Sequence, residues 1–238
     1  MKTIAIGDIH GRTIWKDIVA KESADKVVFI GDYFDSYDDY TAAEQMHNFK
    51  EIIEFKESGE SEVILLIGNH CKHYIDGSEH YSGYQAGAAA AINDLFHNNL
   101  HHLQMCYQMD EFLFSHAGVS HDWLELHSKE YKDNNDADVA QIVNDLWEFT
   151  PRAFKFAGWD PYGDSVISSP IWIRPRSLIV SNRETLRDRF IQVVGHTQVK
   201  RMDREGNATG GRYHLIDTLG TSREYLIIED DEVKFGTI

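Results

Sequence analysis

Five short apolar runs in this chain end alike, each in a small residue followed by a side chain that could bind a metal ion. They read Ile4-Ala5-Ile6-Gly7-Asp8, Phe29-Ile30-Gly31-Asp32, Leu66-Ile67-Gly68-Asn69-His70, Leu113-Phe114-Ser115-His116 and Val193-Val194-Gly195-His196. Ligands of α/β proteins collect outside the carboxyl ends of strands, because the loops diverge there above a rigid sheet. One Gly-Asp pair alone would indicate only a turn, whereas five coincident ends indicate a single site.

The side chains at these ends offer carboxylate, amide and imidazole donors and no thiolate: Asp8, His10, Asp32, Asn69, His116 and His196. Donors of this kind suit Mn, Fe, Zn or Mg. Six protein ligands are too many for one catalytic metal with open positions, but they suit two metals that share a carboxylate. Two metals about 3.5–4 Å apart can hold a phosphoryl oxygen and a hydroxide for in-line displacement. The donor set is therefore compatible with phosphoryl chemistry.

Taken together, the motifs resemble those of the calcineurin-like metallophosphoesterases, and within them the phosphoprotein phosphatase and diadenosine tetraphosphatase group. They stand in the family order as Gly7-Asp8-Ile9-His10-Gly11, Gly31-Asp32-Tyr33-Phe34-Asp35, Gly68-Asn69-His70, His116-Ala117-Gly118 and Gly195-His196-Thr197. The resemblance implies an α/β (α+β) fold, a β-sandwich of two mixed sheets flanked by helices in four layers, α/β/β/α.

The resemblance also divides the six ligands between two divalent metal ions. It implies that one metal is held by Asp8 and His10, that Asp32 bridges, and that the second metal is held by Asn69, His116 and His196. Mn is the metal that we expect, with Fe, Zn or Mg as the alternatives.

His70 has a different implied role, that of the general acid that protonates the leaving-group oxygen. Asp35 would orient its imidazole and raise its pKa. The chemistry needs such an acid because an alkoxide leaves poorly, and a positioned proton donor contributes about 10²–10⁴-fold. A second metal ligand or a structural hydrogen bond is the alternative for His70.

The chain departs from the family pattern after Asp35, where the family usually has Arg-Gly and this sequence has Ser36-Tyr37. Neither residue can replace the charge or the paired hydrogen bonds of a guanidinium. We expect Arg174 to bind the substrate instead, because its segment resembles one that family members carry between their last two motifs. Arg176 and Arg12 are weaker candidates.

Three residues near the third motif are expected to lie outside the chemistry. Cys71 stands where the family has an acid, and we interpret it as a small packing residue. His73 and His80 follow the motif, and we interpret them as loop surface.

The elements that must position these residues can be read from the apolar periodicity. Strands are predicted at Lys2–Ile6, Val27–Ile30, Val63–Ile67, Leu103–Tyr107, Phe112–Phe114, Ile171–Ile173, Ile191–Val194, Tyr213–Ile216, Tyr225–Ile228 and Val233–Phe235. Helices are predicted from about Thr13, from Thr41 to Ser58, over Ala86–Phe96 and over Ala137–Phe149. Thr41 with Glu44 forms a capping-box pattern. Helices early and strands late indicate two sheets.

Length and charge narrow the functional classes. A chain of 238 residues without a linker or a repeat predicts a single domain over 1–238. Lys+Arg 23 against Asp+Glu 39 gives a net charge of −16, which argues against a general nucleic-acid binder. Two cysteines do not make a disulfide framework, and neither a secretion signal nor a membrane span is visible. We therefore expect a soluble, cytoplasmic protein with no membrane partner.

The leading hypothesis is a two-metal phosphoesterase in which a metal-activated hydroxide attacks phosphorus while His70 protonates the departing oxygen. Its expected substrate is a phosphomonoester, either a phosphoprotein of the Ser/Thr phosphatase kind or a small molecule. A symmetrical dinucleoside tetraphosphate hydrolase is the alternative. A non-catalytic binding scaffold is the alternative from another class.

Overall fold

The protein folds into two β-sheets and a set of helices. The computed structural model describes residues 1–77, 79–134, 136–156, 164–182, 184–203, 212–230 and 232–238. Within these ranges ten strands are numbered in chain order as β1 Lys2–Ile6, β2 Lys26–Phe29, β3 Glu62–Leu66, β4 Leu103–Gln104, β5 Cys106–Met109, β6 Phe112–Ser115, β7 Ile191–Val194, β8 Tyr213–Leu215, β9 Glu224–Glu229 and β10 Glu232–Thr237. The nine α-helices of the same ranges are α1 Trp15–Glu22, α2 Ala42–Ser58, α3 Asn69–Ile75, α4 Ala89–Asn99, α5 His121–His127, α6 Lys129–Asp133, α7 Val139–Phe149, α8 Pro175–Ser181 and α9 Glu184–Arg189. Leu100–His102 and Pro151–Phe154 are 3₁₀-helices.

The chain divides into two compact units. The first comprises Met1–Gln104, Val199–Met202 and Ile216–Ile238, and the second comprises Met105–Gln198 and Asp203–Leu215. The first unit carries the sheet β10-β9-β1-β2-β3-β4, and the second carries β5-β6-β7-β8. Both sheets mix parallel and antiparallel pairs, which confirms the predicted fold class. The single domain over 1–238 stays a prediction.

In the first unit, β1, β2 and β3 run parallel and in register. Ile6 pairs with Phe29, and Phe29 pairs with Leu65. All four residues of β2 are buried, as expected for a central parallel strand that is covered on both faces. Because the three strands end together, the loops that carry the first three motifs leave the sheet at one edge.

Helix α2 follows the second motif and shows the predicted capping box. The Thr41 hydroxyl accepts a hydrogen bond from the Glu44 amide at 3.3 Å, and the Glu44 carboxylate accepts one from the Thr41 amide at 2.7 Å. The helix ends at Ser58 and is capped by Gly59, whose φ of +70° is the left-handed conformation that glycine adopts without strain. Phe49, Ile52 and Ile53 form its buried face.

The second unit has the same arrangement of parallel strands, here β6 and β7. These strands are parallel, with Phe114 paired to Val193, so that the fourth and fifth motifs leave their sheet at one edge.

Helix α7 is attached to the start of β5. Its Asn144 side chain accepts hydrogen bonds from the backbone amides of Met105 and Cys106 at 2.9 and 3.0 Å.

Two predicted strands are wrong. The apolar run Leu103–Tyr107 is interrupted at Met105, because β4 pairs with β3 in the first sheet and β5 pairs with β6 in the second. The run Ile171–Ile173 is buried but forms a turn, in which the amides of Trp172 and Ile173 donate to the Ser169 carbonyl at 2.9 and 3.1 Å. A short apolar run indicates burial, and burial alone does not distinguish a strand from a turn.

Candidate functional site

The loops after β1 and β2 are bonded to each other beyond the end of the sheet. The His10 amide donates to the Asp32 carbonyl at 2.6 Å, and the Gly11 amide donates to the Tyr33 carbonyl at 3.0 Å. This extra pairing holds the first two motifs side by side. Asp8, His10 and Asp32 are consequently brought together, and all three are buried.

The orientation of the His10 ring fixes which of its nitrogens is available. Nδ1 lies 2.7 Å from the Phe34 carbonyl oxygen, which can only accept, so Nδ1 carries the proton and Nε2 presents a lone pair. Nε2 lies 4.0 Å from Oδ2 of Asp8 and 4.0 Å from Oδ2 of Asp32. Burial lowers the pKa of His10 to about 4, although Asp32 opposes this effect. A neutral imidazole with its second nitrogen bonded to a backbone carbonyl is the usual form of a metal-binding histidine.

The carboxylates of Asp8 and Asp32 complete this group. They offer oxygens within 4.8 Å of each other, and both residues are about 1% exposed. Oδ1 of Asp32 accepts a hydrogen bond from the His70 amide at 2.9 Å, so Oδ2 is the oxygen that faces His10. Two buried carboxylates this close repel one another, and a divalent cation between them would relieve that repulsion.

Asn69 is the first residue of α3 and is buried. The next residue, His70, is the one whose amide bonds Asp32, so α3 is attached to the second motif at its first turn. The assignment of Asn69 to a metal stays a prediction.

Four of the predicted site residues have a left-handed backbone: His10 at φ +44°, Asp32 at +49°, Asp35 at +63° and His196 at +62°. Residues other than glycine rarely adopt such angles, and Asp and His are among the types that tolerate them best. Backbone strain of this kind concentrates at functional sites.

Asp35 is fully buried and accepts hydrogen bonds on both of its oxygens. Nδ1 of His70 lies 2.9 Å from Oδ2, the predicted pairing. The Tyr74 hydroxyl donates to Oδ1 at 2.5 Å, and the Gln85 side-chain amide donates to it at 3.3 Å. Burial alone would raise the pKa of Asp35, but these donors and His73 outweigh it and lower that pKa to about 2. The carboxylate is therefore an anion that fixes the His70 ring.

His73 corrects the prediction that it lies on a surface loop. It lies in α3 and is 1% exposed, with Nε2 2.7 Å from Oδ2 of Asp35, although its N–H bond is not aimed directly at that oxygen. Nδ1 of His73 accepts from the Tyr81 amide at 3.3 Å, so Nε2 carries the ring proton. The spacing of His70 and His73, three residues apart on one helix face, is the signal that could have found it.

Two groups of buried His and Asp side chains are thus close enough to hold a metal ion. Asp8 and Asp32 belong to one, and Asp35, His70 and His73 form the other. Nδ1 of His70 lies at direct hydrogen-bond distance from Asp35, 2.9 Å, and Nε2 of His73 lies 2.7 Å from the same carboxylate oxygen as an ion-pair contact. That group accordingly matches a hydrogen-bonded acid better than a metal site.

The second unit brings its own predicted residues together. The Gly195 amide donates to the His116 carbonyl at 2.8 Å, and the rings of His116 and His196 lie 5.2 Å apart. Nη1 of Arg174 donates to the His196 carbonyl and to the Thr197 hydroxyl, both at 3.1 Å. Arg174 is therefore anchored to the fifth motif, and its contact with substrate stays a prediction.

Cys71 and Arg12, two further residues considered for the site, have surroundings that suit structural roles. Cys71 is fully buried, and burial raises the pKa of its thiol far above the usual range, as expected for a packing residue. Both cysteines are free thiols. Arg12 is 8% exposed, with Nε 2.8 Å from the Asp38 carboxylate. Across the described residues, no helix combines the length and the apolar composition that a bilayer span requires.

Comparison with known proteins gives a family and a fold. The model of the calcineurin-like phosphoesterase family matches residues 1–212. A search of curated proteins finds no match. The structure is similar to a cold-active protein-tyrosine phosphatase of Shewanella sp., with 19% identity, a TM-score of 0.65, and coverage of 99% of this chain and 77% of that one.

Two further structures have the same fold. A protein serine/threonine phosphatase from Saccharomyces cerevisiae is 14% identical, with a TM-score of 0.60 and coverage of 100% of this chain and 80% of that one. A metallophosphoesterase from Sphaerobacter thermophilus is 15% identical, with a TM-score of 0.51 and coverage of 100% and 88%.

Proposed function

From the premise that this chain belongs to the calcineurin-like phosphoesterase family, and is therefore a metal-dependent hydrolase of phosphoric ester bonds, we propose that its substrates are phosphomonoesters. One observation carries the proposal. The ring of His70, which Asp35 orients, lies 5.3 Å from the ring of His10 in the group that includes Asp8 and Asp32. An acid beside a metal-binding group is what hydrolysis of an ester with a poor leaving group needs.

Phosphorylated proteins are the first substrates to test. The Shewanella sp. structure is named a protein-tyrosine phosphatase, and the Saccharomyces cerevisiae structure is named a protein serine/threonine phosphatase. Both names concern phosphoproteins, and at such low identity they support only the choice of substrates to try. The acidic net charge of −16 does not oppose an anionic substrate, because bound cations make their own surroundings positive.

The donor set fits two divalent cations, with manganese as the first to try. We assign six ligands: Asp8, His10, Asp32, Asn69, His116 and His196. The neutral His10 ring and the close Asp8 and Asp32 carboxylates are the observations that support the fit. Two such ions, when bound, supply a nucleophile of lowered pKa and stabilise charge on the phosphoryl oxygens. Asp32 would be the carboxylate held in common by the two ions, and the hydrogen bond from the His70 amide to its Oδ1 would fix its orientation.

His70 supplies the proton. Its Nδ1–H donates to Asp35, which leaves Nε2 to carry the proton that the leaving-group oxygen takes up. The Asp35 anion stabilises the imidazolium before that transfer and keeps the ring from rotating. Arg174 is the proposed contact to a phosphate oxygen.

The test compares three substrates with Mn²⁺ added: p-nitrophenyl phosphate, a phosphopeptide and diadenosine tetraphosphate. We expect hydrolysis of the first two, abolished by a chelator and restored by the metal. A strong preference for diadenosine tetraphosphate would replace the proposal with the dinucleoside polyphosphate alternative. Purified protein that binds no metal and hydrolyses none of the three would favour the binding scaffold.

A further inference from the structure

Tyr37 is an exposed aromatic side chain beside two histidines of the candidate site. It is 63% exposed, yet its ring centroid lies 5.5 Å from that of His10 and 6.2 Å from that of His70. The ring is steeply inclined to both imidazoles, at 66° and 86°. A single exposed aromatic side chain is ordinary on a protein surface, so its position is the informative feature.

The position of Tyr37 is fixed by a neighbouring segment of the same unit. Its hydroxyl lies 2.9 Å from the Ser82 hydroxyl. The adjacent Gly83 packs so closely on Asp35 that a Cβ atom there would lie 2.9 Å from the Asp35 Cβ. Gln85 then reaches the Asp35 carboxylate with its side-chain amide. The segment that braces Asp35 therefore also holds the Tyr37 ring, which reduces the entropy that ligand binding would cost.

This position is uncharged and carries one aromatic ring. Ser36 and Tyr37 follow Asp35 and carry no positive charge, so they cannot grip a phosphate oxygen as a guanidinium does. His70 protonates the leaving-group oxygen in the proposed function, and the leaving group must consequently lie beside the His70 ring. Tyr37 is an exposed ring next to that place.

We propose that Tyr37 forms an aryl-binding subsite, which packs against the leaving group of aromatic phosphomonoesters such as phosphotyrosine. The inference rests on the proposed function, because it takes the leaving-group side from the role of His70. Aromatic pairs in offset or edge-to-face contact are stabilised beyond the effect of the area they bury. The additional contribution raises a binding constant by a factor of roughly 2 to 12. An aliphatic leaving group of the same size loses that additional contribution.

The experiment measures kcat/KM with Mn²⁺ for phenyl phosphate and cyclohexyl phosphate, which differ in aromaticity and little in size. Each substrate is compared with itself between variants, so the intrinsic difference in reactivity cancels. For Tyr37→Ala, kcat/KM should fall by roughly 2- to 12-fold more for phenyl than for cyclohexyl phosphate. Tyr37→Phe keeps the ring and should keep most of the preference, whereas Tyr37→Leu keeps apolar area and should lose it.

Phe149→Ala is the matched control, because Phe149 is an exposed aromatic residue, 75% accessible, that belongs to no proposed site. It should leave the phenyl-to-cyclohexyl ratio unchanged. Equal losses on both substrates in Tyr37→Ala, or no loss on either, would overturn the aryl subsite and leave the phosphatase proposal standing. Wild-type protein that hydrolyses neither substrate, nor any other phosphomonoester, would instead refute the proposed function.

Discussion

Replacement of Asp35 by Asn tests the hydrogen-bonded carboxylate that orients the proposed acid. Asn is similar in shape but neutral, and its amide group presents hydrogens to donors that need an acceptor. His70, Tyr74 and Gln85 all donate to Asp35. At least one buried donor is therefore left without an acceptor, at a cost of about 1–3 kcal/mol.

The pKa of Asp35 gives a second way to obtain its contribution to the free energy of unfolding. It falls from 3.8 to about 2 on folding, because the hydrogen bonds outweigh burial. A difference of one pKa unit corresponds to about 1.4 kcal/mol, so the ionised form stabilises the folded state by about 2 kcal/mol. The sign follows from the lowered pKa: this stability is present above pH 4 and is lost as the pH falls towards 2, with about half of it gone near pH 3.

Urea unfolding of the wild type and of Asp35→Asn at pH 7 and near pH 3 measures both quantities. We expect a difference of about 2 kcal/mol in the free energy of unfolding at pH 7, narrowing in acid. Asp230→Asn makes the same chemical change on a side chain that is 86% exposed, and it should change stability by no more than about 0.5 kcal/mol. Equal stability of wild type and Asp35→Asn at pH 7 would refute the reasoning.

Activity provides a further readout of Asp35→Asn. An imidazole that is free to rotate and less able to hold a proton should slow release of poor leaving groups most. We expect kcat to fall by about 10²–10⁴-fold for an alkyl phosphate and by much less for p-nitrophenyl phosphate. Uniform losses on both substrates would contradict a role in proton donation.

Four other residues can each be tested by a single experiment. Asp32→Asn should abolish hydrolysis and reduce bound manganese in elemental analysis; full activity would remove Asp32 from the metal group. Gly31→Ala should destabilise the fold by about 1–3 kcal/mol in urea unfolding, because φ is +112° and its Cβ would lie 2.7 Å from the Gly68 amide nitrogen; wild-type stability would contradict this. His73→Ala should reduce kcat more for alkyl than for nitrophenyl phosphate, and equal effects would assign His73 a purely structural role. Cys71 should resist iodoacetamide until the protein is unfolded, since burial raises the pKa of its thiol; rapid labelling of the native protein would refute its burial.

The strands that position the site could be predicted from the sequence because each is a continuous apolar run closed by a small residue. The bounds of β1 and β7 are those that the sequence predicts. For Gly7, the structure explains why the position must be glycine, which the sequence alone does not. A Cβ there would lie 2.1 Å from the carbonyl oxygen of Ile216, a residue remote along the chain. The need for glycine therefore comes from tertiary packing.

Helix α3 could not be predicted, because its seven residues show no apolar period. It contains Asn69, His70, Lys72 and His73, which read as a polar loop. One stabilising contact is tertiary, because the His70 amide donates a hydrogen bond to Asp32. A second is local: Lys72, although fully buried, pairs with Asp76 four residues on at 2.6 Å. The same dependence on long-range contacts hid the approach of His73 to Asp35. The motifs at the strand ends predicted the candidate ligands and the pairing of Asp35 with His70, whereas they did not predict that His73, Tyr74 and Gln85 also contact Asp35.

The left-handed backbone of the site residues connects the predicted strand ends with the tertiary contacts that the sequence did not reveal. An L-residue in that conformation costs about 1–2 kcal/mol, and His10, Asp32, Asp35 and His196 all adopt it. Glycine would remove the strain but would also remove the donor atom, and a β-branched residue would increase the strain. Asp and His are the types that supply a donor and also tolerate positive φ. The residues that best fit these turns are therefore the ones whose side chains can perform the chemistry, and the strained turns bring those side chains to the edges of the sheets.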